Sequence, residues 1–220
     1  IGMIPSGMFL LTSVALATSV IRLAKKRTLV QDLYCIEMLA RVNVLCLDKT
    51  GTITDGSMQV HDVIECKGNN FTVPLSEIIG SILTATGDNN QTALALAEKF
   101  GYSQTLSPKT VVPFSSQKKL SAVTFEGEGT FVLGAPEFVV KDAGVRLERI
   151  INENARNGFR VLMLAHSPLE ISGDRLPGAR RPVCLIVIED HIREDAPEVI
   201  RWFKENNVAV KIISGDNPLT

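Results

Sequence analysis

The sequence predicts an α/β fold, interrupted by a large insertion and preceded by an apolar helix. Three observations carry this. Residues 44–47, 183–188 and 208–213 are near-continuous apolar runs, and each leads into a polar turn with an aspartate: Asp48, Asp190 and Asp216. That is the pattern of strands in a parallel sheet covered on both faces. About 125 residues, 57–182, separate the first run from the second, which is enough for a domain of its own. Finally, residues 1–21 contain no charged side chain. Ligands of open α/β sheets bind beyond the carboxyl ends of the strands, so the three aspartates are expected on one edge.

The N-terminal run, IGMIPSGMFLLTSVALATSVI, reaches ~30 Å as a helix, about one hydrocarbon core. Arg22, Lys25, Lys26 and Arg27 follow it. The positive-inside bias places that end in the cytoplasm. A signal peptide carries its positive charge before the apolar run. The chain also starts at Ile1, so an internal fragment with a membrane helix over 1–24 is expected. The lipid bilayer is then a partner. Pro5-Ser6-Gly7 breaks the helix, either as a structural kink or as a coordination site.

The remaining composition is that of a folded domain. The 220 residues are 45% hydrophobic, and 23 Lys+Arg against 24 Asp+Glu leave a net charge of −1. Mean hydropathy is +0.16. A core is available, global disorder is excluded, and no nucleic acid is expected as a partner. Cys35, Cys46, Cys66 and Cys184 form no CxxC and read as reduced structural thiols.

In chain order, residues 28–43 have a helical pattern and 44–47 read as a strand ending at Asp48, before a Lys-Thr-Gly-Thr turn. The insertion alternates β-rich segments (59–66, 120–125, 130–133, 161–164) with helices (75–86, 91–100, 147–157). Residues 172–182 read as a loop. Then come the strand 183–188, a helix over 195–206 with Pro197 near its first turn, and the strand 208–213.

Asp48 carries the chemistry. A carboxylate at a strand end can attack a phosphoryl group and form an aspartyl-phosphate. Lys49 adds the positive charge that the transferring group needs, and Gly51 lets backbone N–H groups approach it. Mg²⁺ prefers oxygen ligands, one or two carboxylates plus phosphate.

CLDKTGTIT, residues 46–54, resembles the phosphorylation signature of the P-type (E1–E2) cation-transporting ATPases, nearest to bacterial calcium-type pumps. The resemblance runs along the chain. The Pro5-Ser6-Gly7 helix is similar to the family's fourth transmembrane helix. PFSSQKK at 113–119 and LGAPE at 133–137 resemble nucleotide-domain segments, as does GFRVLMLA at 158–165. DHIR at 190–193 resembles DPxR, and SGD at 214–216 resembles TGD.

This resemblance implies a haloacid-dehalogenase-like (Rossmann-type) phosphorylation domain, incomplete here, over 25–56 (with the stalk) and 183–220. It implies an inserted α+β nucleotide-binding domain over 57–182. Asp48 would be the phosphorylated nucleophile, Lys49 would stabilise phosphoryl charge, and Thr50 would help Asp48 hold Mg²⁺. Thr52 completes that string. Phe114 would stack on the adenine of ATP, with Gln91 beside the base, Lys119 and Gly134 near the nucleotide, and Arg160 near its phosphates. Asp190, Arg193, Ser214, Gly215 and Asp216 would border the cleft where nucleotide meets Asp48. The implied function is ATP-driven transport of a cation, calcium or another divalent ion, across the cell membrane, with the nucleotide and phosphorylation domains cytoplasmic.

Departures and alternatives stand beside this. Leu133 replaces the lysine of KGAPE. Ser6 stands where many calcium pumps carry glutamate, and no CPC thiolate pair is present. The family's later GDGxND segment does not occur, so the fragment alone is expected to be inactive. One alternative is a phosphohydrolase of the haloacid-dehalogenase type, although such enzymes place a second aspartate where Thr50 stands. The other is a non-catalytic nucleotide-binding module.

Overall fold

The computed structural model describes residues 6–68, 71–173 and 175–213. It divides into two compact units. One holds the chain up to Leu47 together with Asp195–Ile213, and the other holds Asp48–Glu194.

The first unit begins with α1 (Ser6–Lys25). Gly7–Lys25 is long and apolar enough to cross a membrane, with a mean hydropathy of 1.7 and none of it buried. Its hydroxyls bond within the helix: Thr12 Oγ1 donates to the Phe9 carbonyl at 2.9 Å, and Ser19 Oγ to that of Ala15 at 2.9 Å. Internal satisfaction of polar groups is what an apolar surrounding requires. Of Pro5-Ser6-Gly7, where the helix break was expected, Pro5 lies outside the described residues, and Ser6 and Gly7 fall within α1.

Helix α2 covers only Tyr34–Ala40, not 28–43. Arg27 takes a left-handed φ of 59° where α1 ends, and the Asp32 side chain accepts from Tyr34 N at 2.9 Å, which starts a separate helix. Then β1 (Val44–Asp48) pairs with β8 (Ala209–Ile213). Between them in sequence lies α7 (Ala196–Glu205), with Pro197 in its first turn.

The second unit is a six-stranded sheet of order β2-β7-β6-β5-β4-β3. Its strands are β2 (Thr54–Glu65), β3 (Pro108–Ser115), β4 (Leu120–Phe125), β5 (Gly129–Gly134), β6 (Arg160–Ser167) and β7 (Arg181–Ile192). Every neighbouring pair is antiparallel. Helices α3 (Leu75–Thr86) and α4 (Gln91–Phe100) belong to one core, with Ile82, Leu96, Phe131 and Ile186. Helix α6 (Val145–Arg156) and the short α5 (Pro136–Val139) supply a second core, with Val132, Met163 and Leu185.

This corrects the expectation of one parallel sheet from three apolar strands. Residues 183–188 belong to β7, which runs antiparallel between β2 and β6. The run is apolar because both faces of β7 are buried: Ile186 and Ile188 face the first core and Leu185 the second. Burial on two faces makes an apolar run in either strand direction.

Cys184 is fully buried, and burial pushes its thiol from 9.0 up to about 12. The folded value lies above the unfolded one. The thiol's contribution to stability is therefore full below pH 9.0 and falls as pH rises toward about 12. Native-state alkylation at pH 8 is expected to modify the exposed Cys35 and Cys46, while Cys184 reacts only in denaturant. Mass mapping of the adducts checks this.

Candidate functional site

The first element of the site is the segment Lys49–Ile53, which follows β1. Thr50 has φ −78° and ψ 123°, and Gly51 has φ 76° and ψ −1°. These are the central angles of a type II turn, whose third position needs a positive φ and therefore glycine. Among the described residues no atom lies within 4 Å of a Cβ built on Gly51, and its φ of 76° is what calls for glycine. Asp48 is exposed, and its Oδ1 accepts from Thr50 N at 3.4 Å. Thr52 is exposed on the same turn.

Thr54, the first residue of β2 and 2% exposed, fastens the turn. Its Oγ1 accepts from Gly51 N at 3.2 Å and donates to the Lys49 carbonyl at 3.4 Å. Thr54→Val keeps the shape and deletes both bonds. It is expected to cost about 1–3 kcal/mol, the penalty for buried polar groups left unpaired, read as a lower denaturant midpoint with unchanged slope.

Lys49 Nζ lies 2.7 Å from Asp190 Oδ2, with side chains 19% and 10% exposed. Asp190 reaches this place through the β2–β7 pairing, in which it stands opposite Met58, and not as the end of a parallel strand. Asp190 Oδ1 is buried with no hydrogen-bond partner among the described residues. Arg193 N donates to the Ile53 carbonyl at 3.0 Å, so the DHIR segment is tied to the turn through its backbone. Nearby, Asp55 accepts from Ser57 Oγ at 2.6 Å, Ser57 N at 2.8 Å and His191 Nδ1 at 2.8 Å. Those bonds, the Ser57 hydroxyl first, hold its carboxyl below the usual range. Ser214, Gly215 and Asp216 lie outside the described residues.

The second element is a cleft of about 480 Å³ in the same unit. Gln91, Phe114, Lys119, Gly134 and Arg160, chosen from separate sequence segments, all line it. Gln91 opens α4, whose N-cap Asn90 accepts from Ala93 N at 2.9 Å. Phe114 stands near the end of β3 and is 43% exposed, a large ring left facing solvent. Lys119 sits in the β3–β4 turn with φ 50°, its Nζ 5.9 Å from the Phe138 ring centre.

Gly134 explains why the strands can close here. A Cβ on it would lie 2.4 Å from the Lys119 carbonyl oxygen and 2.6 Å from Leu120 Cα. Leu133, the departure from KGAPE, is buried and pairs across β4 and β6 with Ser121 and Leu164. Its side chain adds apolar floor to the cleft, not charge.

The structure thus gathers the predicted residues into two groups. Asp48, Lys49, Thr50, Thr52, Asp190 and Arg193 belong to the turn and the strand end beside it. The other five line the cleft. Met58, Asp88, Glu137 and Phe159 also line it and were not anticipated. Their signal is weak: Met58 and Phe159 read as core, and Asp88 and Glu137 as surface charge.

No cluster of three or more His, Cys, Asp or Glu side chains able to hold a metal occurs among the described residues. The exposed Asp48 carboxylate and the Thr50 carbonyl are hard oxygen donors. That set fits Mg²⁺, which takes few protein ligands beside phosphate.

Residues 42–220 match the family model described as haloacid dehalogenase-like hydrolase. The chain is 38% identical over 218 residues to the calcium-transporting ATPase CtpE of Mycobacterium bovis, covering 99% of this chain and 27% of that protein. It is 41% identical over 222 residues to the probable cation-transporting ATPase exp7 of Streptococcus pneumoniae, covering 100% of this chain and 28% of that one. In fold it is similar to a zinc-transporting PIB-type ATPase in its E2.Pi state: TM-score 0.62, 21% identity, 94% of this chain and 31% of the other. The chain therefore spans a little over a quarter of the length of these curated relatives.

Proposed function

The chain belongs to the haloacid dehalogenase-like hydrolase family, and we propose that it is the phosphorylation and nucleotide-binding part of a P-type cation-transporting ATPase. The cargo would be calcium or another divalent cation, with ATP and Mg²⁺ as substrate and cofactor. The observation that carries this is the convergence of Gln91, Phe114, Lys119, Gly134 and Arg160 on one cleft, in the compact unit that also holds Asp48. A volume of about 480 Å³ lies in the range of small-molecule sites. The similarity to CtpE and exp7 supports the same reading.

In this proposal Phe114 stacks on adenine and Arg160 and Lys119 meet the phosphates. An Asp48 oxygen attacks the γ-phosphorus, the bond to the bridging oxygen breaks, and ADP leaves. Mg²⁺, held by Asp48 and the Thr50 carbonyl, would supply charge neutralisation. Lys49 offers its ammonium to the phosphoryl oxygens, and Asp190 keeps that ammonium in place. Residues 1–24, of which 6–24 are helical, would be the segment within the cell membrane, and 25–56 the stalk with the first part of the phosphorylation domain. Residues 57–182 are the nucleotide domain and 183–220 the second part of the phosphorylation domain, both cytoplasmic. A bound ion can bias phosphorylation only if the conformational states bind it differently.

Two measurements test this. Phe114→Ala in this chain is expected to weaken ATP about 5- to 150-fold, the range of one aromatic–base stack, without lowering thermal stability. The complete parent, in membranes, is expected to take acid-stable label from γ-labelled ATP in the presence of one ion of the panel Ca²⁺, Mn²⁺, Mg²⁺ alone, Na⁺ and K⁺. No label with any ion, in a folded protein that binds nucleotide, leaves a hydrolase or a regulatory module instead.

A further inference from the structure

Three walls of the cleft meet at one side chain that no motif singles out. Met58 stands on β2. Its Sδ accepts from Arg160 Nη1 on β6 at 3.5 Å and from Thr92 Oγ1 on α4 at 3.7 Å. It is half-buried, packs on the first core, and lines the cleft together with both of its donors. The β2–β7 register shifts between Thr54 and Met58, and such irregularities re-aim side chains. Leucine would fill the same volume, so what distinguishes methionine here is the sulfur. With Leu133 in place of a lysine, Lys119 and Arg160 are the cations among the described residues that line the cleft. A change at Met58 therefore acts on one of the two.

We propose that Met58 is a reversible oxidation site that positions Arg160 and so controls the cleft's affinity for a nucleoside triphosphate. This rests on the reading of the cleft as an ATP site. The oxidant is a hydroperoxide. Its O–O bond breaks, an S–O bond forms, sulfur gives up two electrons, and water or an alcohol leaves. The thioether is a weak acceptor, and the sulfoxide oxygen that replaces it is a strong one. It arises beside the Arg160 guanidinium and the Thr92 hydroxyl, and a charge-assisted bond there holds Arg160 against β2 and away from phosphate. A methionine sulfoxide reductase restores the thioether: a dithiol supplies two electrons and becomes a disulfide, the S–O bond breaks, and the oxygen leaves as water.

The test uses the full 220-residue chain in detergent, titrated with ATP and with adenosine before and after hydrogen peroxide. Peptide mass mapping reports which of Met3, Met8, Met38, Met58 and Met163 gained oxygen. The wild type is expected to lose about tenfold in ATP affinity on oxidation, the factor a charge-assisted bond carries, with adenosine affinity unchanged. The reductase restores it. Met58→Leu, compared with its own untreated state, is expected to show no change in ATP affinity on peroxide treatment. Met58→Gln, which carries a carbonyl acceptor at that place, is expected to show the loss without peroxide. Oxidised Met58 with unchanged ATP affinity overturns the proposal, as does an equal loss in Met58→Leu. Unoxidised wild type that binds no ATP overturns the reading of the cleft itself, and this is seen before peroxide is added.

Discussion

Asp48→Asn in the complete parent is expected to abolish the acid-stable phosphoenzyme, a loss on the order of 10⁴-fold or more in phosphoryl transfer. The reason is chemical. An amide oxygen is not a nucleophile toward phosphorus at neutral pH, and among the described residues the carboxylate paired with the neighbouring lysine, Asp190, is engaged with Lys49 at 2.7 Å. The fold does not depend on the charge. Asparagine can still accept from Thr50 N, as Asp48 does at 3.4 Å. Thr54 fastens the turn independently. ATP affinity is therefore expected to stay within about threefold of wild type, because Phe114, Lys119 and Arg160 are untouched. Labelling and nucleotide titration on the same membranes separate the two effects.

Gly134→Val is the second large effect, and its cause is steric. The first added carbon would lie 2.4 Å from the Lys119 carbonyl oxygen and 2.6 Å from Leu120 Cα. Both are backbone atoms that cannot swing aside. Gly134 is paired on both sides, with Leu120 of β4 and Met163 of β6, so the strand cannot shift alone. The β3–β4 turn must open, which costs about 1–3 kcal/mol or more and displaces Lys119 from the cleft. Thermal melting is expected to fall by several degrees, about 2–4 °C per kcal/mol for a domain of this size, and ATP affinity by more than tenfold. Gly178→Ala is the control: nothing lies within 4 Å of its Cβ, and no change is expected.

Much of this was legible in the sequence, for identifiable reasons. The limits of α3, α4 and β4 fall where periodicity and turn residues place them. A turn at Lys-Thr-Gly-Thr was legible from DKTGT, and the structure adds its type II geometry. The placement of β7 was not legible, since an apolar run reports burial and is silent on direction. Nor was β3 expected as a strand; Val111 and Phe114 are exposed on it, so no run marks it. In the site, short strings with distinctive chemistry were readable one by one. That Gln91 and Arg160 would share a cleft was legible only through the family resemblance, since it depends on strand register, which no local pattern encodes. Met58, Asp88 and Phe159 were passed over because their roles arise only from neighbours distant in sequence.

The central claim is that ATP delivers its phosphoryl group to one carboxylate, that of Asp48. The direct measurement is the site of the covalent phosphate. The complete parent is labelled from γ-labelled ATP with the activating ion, quenched in acid, reduced with borohydride and digested, and the modified residue is read by mass spectrometry. Conversion of Asp48 to homoserine in the peptide carrying DKTGT, together with hydroxylamine-labile label, is the expected result. Label on any other residue, or turnover of ATP with Asp48 unmodified throughout, would contradict it.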